Sequence, residues 1–379
     1  MKLQIDKNEL LRIITYANNV ILNKVSISIL LNIILETQKD SLCVKGTDLK
    51  AGVITNSPAY IEKEGSICVN SKKFLDIIKS FDSQSNVVLE VIDSKLVITS
   101  DNPEIHTKFN LNYLSVNDYP KVESIKSDKS FYINEILLKN LLLKVEYCKS
   151  LEGERHFLNG VYFSIDEKYS RFVSTDGRRL SYIDNVVDEG VSIDNFNEII
   201  PGNTLKVLLP MLNSDEDCII QYKGDYDNVS QVSFKTQSGE IVSNMLEGKF
   251  PRYNQVIPKS AEHEIVCNRL DLLRAIGRVR NFAGKTFQVH LSITKDKMII
   301  YSEDVDSGNA RDIVDIKNVD GNEIEISINC EFMYQSVNRI DENDITIGYS
   351  KVDSPILITG VDNDSYKNVI MPMKQECDE

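Results

Sequence analysis

What most constrains this chain is internal repetition, because one α/β pattern recurs three times along its 379 residues. Its clearest mark is a strand end that runs into a short amphipathic helix. From Val69 to Phe81, apolar residues (Phe74, Ile77, Ile78, Phe81) follow helical spacing behind Asn70 or Ser71, either of which suits an N-cap. The pattern returns 131 residues on, where Ile200 stands for Val69 and Leu205, Leu208, Leu209 and Leu212 continue it. It returns after a further 128 residues at Ile328, with Met333, Val337 and Ile340, and only Ser336 interrupts the apolar set.

The neighbours of this helix repeat as well. Upstream of each copy lies a hairpin pattern: Asn32–Leu35 with Leu42–Lys45, Val161–Ser164 with Phe172–Ser174, and Leu291–Thr294 with Met298–Tyr301. The run Ser28–Leu35 that begins the first of these predicts a buried strand. Each second strand leads to a polar turn, at Gly46-Thr47-Asp48, Thr175-Asp176-Gly177 and Ser302-Glu303-Asp304. The recurrence of Asp48, Asp176 and Asp304 predicts a turn role rather than a catalytic carboxylate. Downstream, Val87–Ile92 with Leu96–Thr99, Ile219–Tyr222 with Val232–Lys235, and Ile345–Tyr349 with Ile356–Thr359 alternate as strands. Each copy opens with a strand and a helix, the helices predicted over 8–20, 135–149 and 268–281. The unit is α+β with mostly antiparallel pairing. Proline-bearing polar stretches at 118–124 and 250–260 separate the copies, which gives domains at 1–125, 126–259 and 260–379.

Charge is partitioned along this repeat. The chain carries −14 in total, which by itself argues against nucleic acid. Six predicted helical segments (7–24, 72–81, 134–149, 202–213, 268–281 and 329–339) nevertheless hold 15 Lys and Arg against 6 Asp and Glu. The remainder holds 28 and 51. Helix propensity alone would not favour Lys over Glu in this way. Lys72 and Lys79 lie opposite the apolar face of their helix, Arg274 and Arg278 are i,i+4 neighbours away from theirs, and Arg12 lies opposite Leu10, Leu11, Ile14 and Ala17. Such helices suit phosphate without reading bases.

Other chemistries find little support. Seven scattered cysteines form no C-x-x-C pair, and the four histidines have no ligand spacing, so no metal site is expected. A reducing cytoplasm, with cysteines as small hydrophobes, follows from that usage. The N-terminal MKLQIDKNELL meets charge at once, so no signal peptide is expected. No apolar run has the length of a membrane span. Two arginines after a glycine turn in TDGRRL would attract an anion, but no P-loop or G-x-G-x-x-G follows a strand. No catalytic triad or cofactor site is expected.

Lys24 before the SILLNIIL strand, GTDL at Gly46–Leu49, FLNG at Phe157–Gly160, TDGRRL at Thr175–Leu180, FPRY at Phe250–Tyr253 and VIMPM at Val369–Met373 resemble, in order and spacing, the bacterial DNA sliding clamp family, the beta subunit of DNA polymerase III. The resemblance covers essentially the whole chain. It implies the DNA clamp fold: three repeated domains, each with two helices and antiparallel sheets, in chains that close head to tail as a homodimer ring. Helices would line the hole and sheets the outside. Function would be that of a processivity factor, a non-catalytic subunit of a DNA-directed DNA polymerase whose holoenzyme transfers nucleotides in DNA replication. A closed ring would hold double-stranded DNA topologically, without sequence specificity. It would tether the replicative polymerase catalytic subunit, the clamp loader, repair polymerases and other clamp-motif proteins, in the cytoplasm and with no membrane partner. The runner-up is an acidic protein–protein scaffold without DNA encirclement, against which the basic helices count.

The resemblance also implies sites. A groove between domains two and three would receive short apolar peptides, with Leu158, Thr175, Gly177, Arg178, Arg179 and Leu180 on one wall. Pro251 and Val256 would extend it, and Val352, Ser354, Val369, Ile370, Met371, Pro372 and Met373 would form the other side. Methionines repack around different anchors, as a shared docking site requires. Arg12, Lys24, Lys72, Lys79, Lys139, Lys149, Arg155, Lys206, Arg274 and Arg278 would face DNA. Lys108 and Phe109 would meet Phe282, Glu303 and Asp304 across the dimer interface, Lys108 pairing with Glu303, Asp304 or Asp306. In departure from the family, Gly202-Asn203 and Gln255 stand where relatives often carry basic residues, and Lys374–Glu379 continues past the MPM element.

Overall fold

Among the described residues, six α-helices punctuate a strand-rich chain: α1 Lys7–Val20, α2 Ser71–Lys79, α3 Glu135–Val145, α4 Gly202–Met211, α5 Arg269–Val279 and α6 Cys330–Asn338. The structure, a computed structural model, describes residues 1–21, 27–101, 107–151, 155–186, 195–225, 228–304, 308–318 and 323–374. Local chemistry explains why the helices begin where they do. The Asp6 carboxylate accepts the Asn8 and Glu9 amides ahead of α1. Asn70, Asn134, Asn268 and Asn329 accept first-turn amides in the same way ahead of α2, α3, α5 and α6. Only α4 starts without a side-chain cap, after Pro201.

Every strand pairing is antiparallel among the described residues, and the hairpins read from the sequence are present in register. The run Ser28–Leu35 is not all strand. Ser28–Leu31 forms a 3-10 turn, closed by the Asn32 amide donating to the Ser28 and Ile29 carbonyls at 3.3 and 2.9 Å, and the strand starts only at Asn32. Several predicted helices also end early. α3 gives way to 3-10 geometry over Glu146–Cys148, and α4 stops at Met211, where Pro210 cannot donate an amide to the previous turn.

The chain forms two compact units whose division falls inside the middle copy. Of the described residues, the first comprises those in 1–139 and 201–245. Its 13-stranded sheet passes from copy one to copy two where strand Gly239–Asn244 pairs with Ala51–Pro58. α1 and α2 cover a core that includes Leu10, Ile13, Ile14, Ile33, Leu35, Val44, Phe74 and Ile78, all fully buried. Gly46 permits the close approach of α1, because a Cβ there would meet the Ala17 carbonyl oxygen at 2.8 Å.

Of the described residues, the second unit comprises those in 140–186, 195–200 and 246–374. Its 12-stranded sheet passes from copy two to copy three where Arg179–Val186 pairs with Asn363–Ile370. Six cysteines (Cys43, Cys68, Cys148, Cys218, Cys267 and Cys330) are free and buried, which agrees with their reading as small hydrophobes. Cys377 lies outside the described residues. No helix among the described residues is long and apolar enough to cross a membrane.

Candidate peptide groove and basic helices

The TDGRRL segment is a tight turn set by its own side chains. The Asp176 Oδ1 accepts the Arg178 and Arg179 amides at 2.9 and 3.0 Å, while Thr175 Oγ1 accepts the Gly177 amide and donates to the Arg179 carbonyl. Gly177 takes φ 87°, a conformation that favours glycine. The strand leaving this turn pairs Leu180 with Val369 and Arg179 with Ile370. The Met371 amide then donates to the Arg178 carbonyl at 2.8 Å, and the Met373 amide donates to the Ser327 carbonyl at 2.8 Å. The two longest motifs of the predicted site are therefore adjacent strands.

Between them lies an apolar floor of Val173, Leu180 and Val369, packed against Tyr162, Tyr182, Phe250, Tyr253, Ile257 and Leu357. Tyr162 stacks on Phe250 with centroids 4.9 Å apart, and Tyr253 packs against both. Burial pushes the Tyr182 hydroxyl up to about 12, with a smaller contribution from Asp184, and raises Tyr253 as well. Of the other residues expected in the groove, Val256, Val352 and Met371 are exposed at 42%, 43% and 38%. Ser354 follows Val352 in the loop before strand Ile356–Gly360, which pairs Leu357 with Val369. Leu158, Thr175 and Ile370 are buried, whereas Pro251, Gly177 and Arg178 are exposed and Pro372 and Met373 half-buried. This surface offers apolar burial and a few backbone groups, as a peptide-docking groove does. Among the described residues no cluster of His, Cys, Asp or Glu is placed to hold a metal.

Arg179 differs from the wall residue expected of it. Its Nε bonds Asp176 at 3.0 Å, Nη1 bonds Gln335 at 2.7 Å and Nη2 bonds the Tyr147 carbonyl at 2.9 Å. The guanidinium also lies over the rings of Phe332 and Tyr147. With its side chain only 10% exposed, it braces the turn from within. Sequence reading missed Tyr147, Gln335 and Phe332 as its partners, since they sit on other elements. It also left the aromatic pair Phe250 and Tyr253 out of the groove, although the FPRY motif contains both. Asp176 and Asp48 hold the turn geometry expected of them. Asp304 does not, because strand Lys297–Asp304 runs straight on and pairs Glu303 with Asn309 and Asp304 with Gly308.

The predicted DNA-facing cations divide into free and engaged groups. Lys72, Lys79 and Lys206 are exposed on α2 and α4 and carry no ion pair among the described residues, and Lys139 on α3 is half-exposed. Arg12 bonds Glu9 at 2.7 Å and Arg274 reaches Asp271 at 3.4 Å. Arg278 pairs with Asp312, and Lys149 folds back on Glu146. Arg155 stands beside the Gly177 turn, 3.9 Å from where a Cβ would project. Lys24 lies outside the described residues. At the predicted interface positions Lys108 and Glu303 are exposed, and Phe109 meets Phe81 edge-on at 5.8 Å. Phe282, half-buried, accepts the Ser302 hydroxyl on its carbonyl. Asp306 lies outside the described residues.

Comparison with known proteins places these features in a family context. Three family models match in order: the N-terminal domain of the DNA polymerase III beta subunit over residues 1–123, its central domain over 132–252 and its C-terminal domain over 254–374. The beta sliding clamp of Vibrio cholerae is 23% identical over 376 residues, covering 99% of this chain and 100% of that protein. The DNA polymerase III beta subunit of Thermotoga maritima superposes with TM-score 0.89 at 22% identity, covering 99% of each chain. A sliding clamp of Bartonella birtlesii, solved with griselimycin bound, gives TM-score 0.89 at 25% identity, covering 99% of this chain and all of that one.

Proposed function

The chain belongs to the DNA polymerase III beta subunit family, the beta sliding clamps, and on that footing we propose that it closes as a head-to-tail homodimer around duplex DNA. The family is a non-catalytic processivity subunit that binds DNA and clamp-motif proteins, and the chain acts as such a clamp. The observation that carries the reading is the match of all three domain models, in order, along nearly the whole length. The copies 1–125, 126–259 and 260–379 are the three clamp domains of this proposal. Head-to-tail contact closes a ring when its rotation is a divisor of the circle, and Lys108 and Phe109 would meet Phe282, Glu303 and Asp304 there.

Lys72, Lys79, Lys139 and Lys206 are the residues we expect to meet phosphate, because their charge is least engaged elsewhere. The Leu180–Val369 floor, rimmed by Val256, Val352 and Met371, is the proposed dock for apolar segments of the replicative polymerase, clamp loader and repair polymerases in the cytoplasm. An acidic scaffold that ignores DNA is not favoured.

Loading tests the ring. Clamp loader, ATP and nicked circular DNA should leave the protein on the circle through a high-salt wash, and linearising the DNA should release it. Retention on free-ended linear DNA, or a 43.0 kDa monomer in solution, would overturn the proposal.

A further inference from the structure

The turn that edges the apolar groove is built twice. Within the first unit, Thr47-Asp48-Leu49-Lys50-Ala51 repeats Thr175-Asp176-Gly177-Arg178-Arg179 bond for bond. Asp48 Oδ1 accepts the Lys50 and Ala51 amides at 2.9 and 2.7 Å, and Thr47 Oγ1 accepts the Leu49 amide and donates to the Ala51 carbonyl. Leu49 takes φ 75° where Gly177 takes 87°. The neighbouring strand is equivalent too, for the Asn244 amide donates to the Lys50 carbonyl at 2.8 Å as that of Met371 does to Arg178.

The side chains differ in a consistent direction. Gly52 takes the place of Leu180, so Val122 packs where only a glycine leaves room. Ala51 takes the place of Arg179 and Asn244 that of Met371. The result is a polar cavity of about 500 Å³ rather than an apolar floor. Lys50, Lys121, Lys126 and Lys223 line it, with Glu123 as the one acidic lining residue. All four lysines are exposed, and none carries an ion pair among the described residues. In a chain of net charge −14, such a cluster is a local reversal of sign. Leu49 projects at its edge, 52% exposed, in a backbone conformation that a leucine adopts only against strain.

We infer that this cavity is a second docking groove, which takes a short acidic peptide segment carrying one apolar anchor. The lysines supply charge complementarity, and Leu49 with Val122 supplies the anchor contact. The inference does not depend on occupancy of the apolar groove.

A fluorescein-labelled peptide of glutamates around a single leucine, followed by anisotropy with the full-length protein, tests it. Binding is expected at low salt and should weaken at least about tenfold in Lys50→Glu/Lys121→Glu. Lys50→Arg/Lys121→Arg should retain it, which separates charge from fold. Met371→Ala should leave it unchanged. Equal binding by the charge-reversed variant, loss in Met371→Ala, or equal binding of a lysine–leucine peptide would overturn the inference. Displacement by a duplex oligonucleotide, with the same dependence on Lys50 and Lys121, would also overturn it by making the cavity a nucleic-acid contact.

Discussion

The guanidinium of Arg179 lies 4.3 Å from the ring centroid of Phe332, which joins the TDGRRL turn to α6 through a nearly buried cation. Removing that cation strands Asp176 and Gln335. Arg179→Ala should therefore destabilise the second unit by about 3 kcal/mol, seen as an earlier transition in urea. Arg179→Lys should recover little, because an ammonium cannot span Asp176, Gln335 and the Tyr147 carbonyl at once. Parent-like unfolding of the lysine variant would contradict this account.

Met371 presents its side chain to solvent while its amide holds Arg178. Met371→Ala keeps the backbone bond and removes only apolar contact. Affinity for an apolar clamp-motif peptide should fall about tenfold, or about 1.4 kcal/mol, with thermal unfolding unchanged. Isothermal titration gives the answer, and unchanged affinity would remove Met371 from the groove.

Two glycines should behave oppositely. Gly46→Ala drives a Cβ toward the Ala17 carbonyl and should cost about 1–3 kcal/mol. Gly277, inside α5, has nothing within 4 Å of a new Cβ, so Gly277→Ala should stabilise by up to about 1 kcal/mol. Denaturant midpoints of the two variants should move in opposite directions.

The buried thiols should be inert. Burial pushes Cys68 and Cys330 up to about 11 and Cys148 and Cys267 up to about 12, far above mildly alkaline pH. Iodoacetamide at such pH should leave these four unmodified in the folded protein and label them after unfolding, as peptide mass spectrometry would reveal. Rapid native labelling of Cys148 would refute its burial.

Arg278, bonded to Asp312, holds that carboxyl below its ordinary value. A lowered folded-state pKa stabilises above the unfolded value and is lost as pH falls through the folded one, so the effect belongs below about pH 4. Arg278→Ala should raise the Asp312 pKa toward the ordinary carboxylate value. Carbon-13 NMR titration reads this directly, and an unmoved midpoint would show that the pair is not formed in solution.

The copies were legible because their signals are local. Asn70, Asn268 and Asn329 announce helix starts through bonds to the next few amides, and the hairpins alternate at a period of two. Where the reading failed, a longer-range competitor decided. Asn32 closes a turn within an apolar run, and the strand partner at Asn309 carries Glu303 and Asp304 straight past the turn seen in the other copies. The groove was half legible: its motifs stood out, but which residues face a peptide depends on what lies behind them.

The sequence by itself determined the threefold α+β repeat, the basic bias of the helices and the motifs that edge the groove, since periodicity, capping and charge are written along the chain. Tertiary structure alone decided that Arg179 is an internal brace while Arg178 is exposed, and that Arg278 is engaged while Lys72 and Lys206 carry no ion pair among the described residues. It also decided that the same turn edges an apolar floor in one unit and a basic cavity in the other. The physical reason is that burial and pairing depend on residues distant along the chain, such as Asp312 for Arg278, Gln335 and Phe332 for Arg179 or Asn244 for Lys50. Only folding brings these within reach.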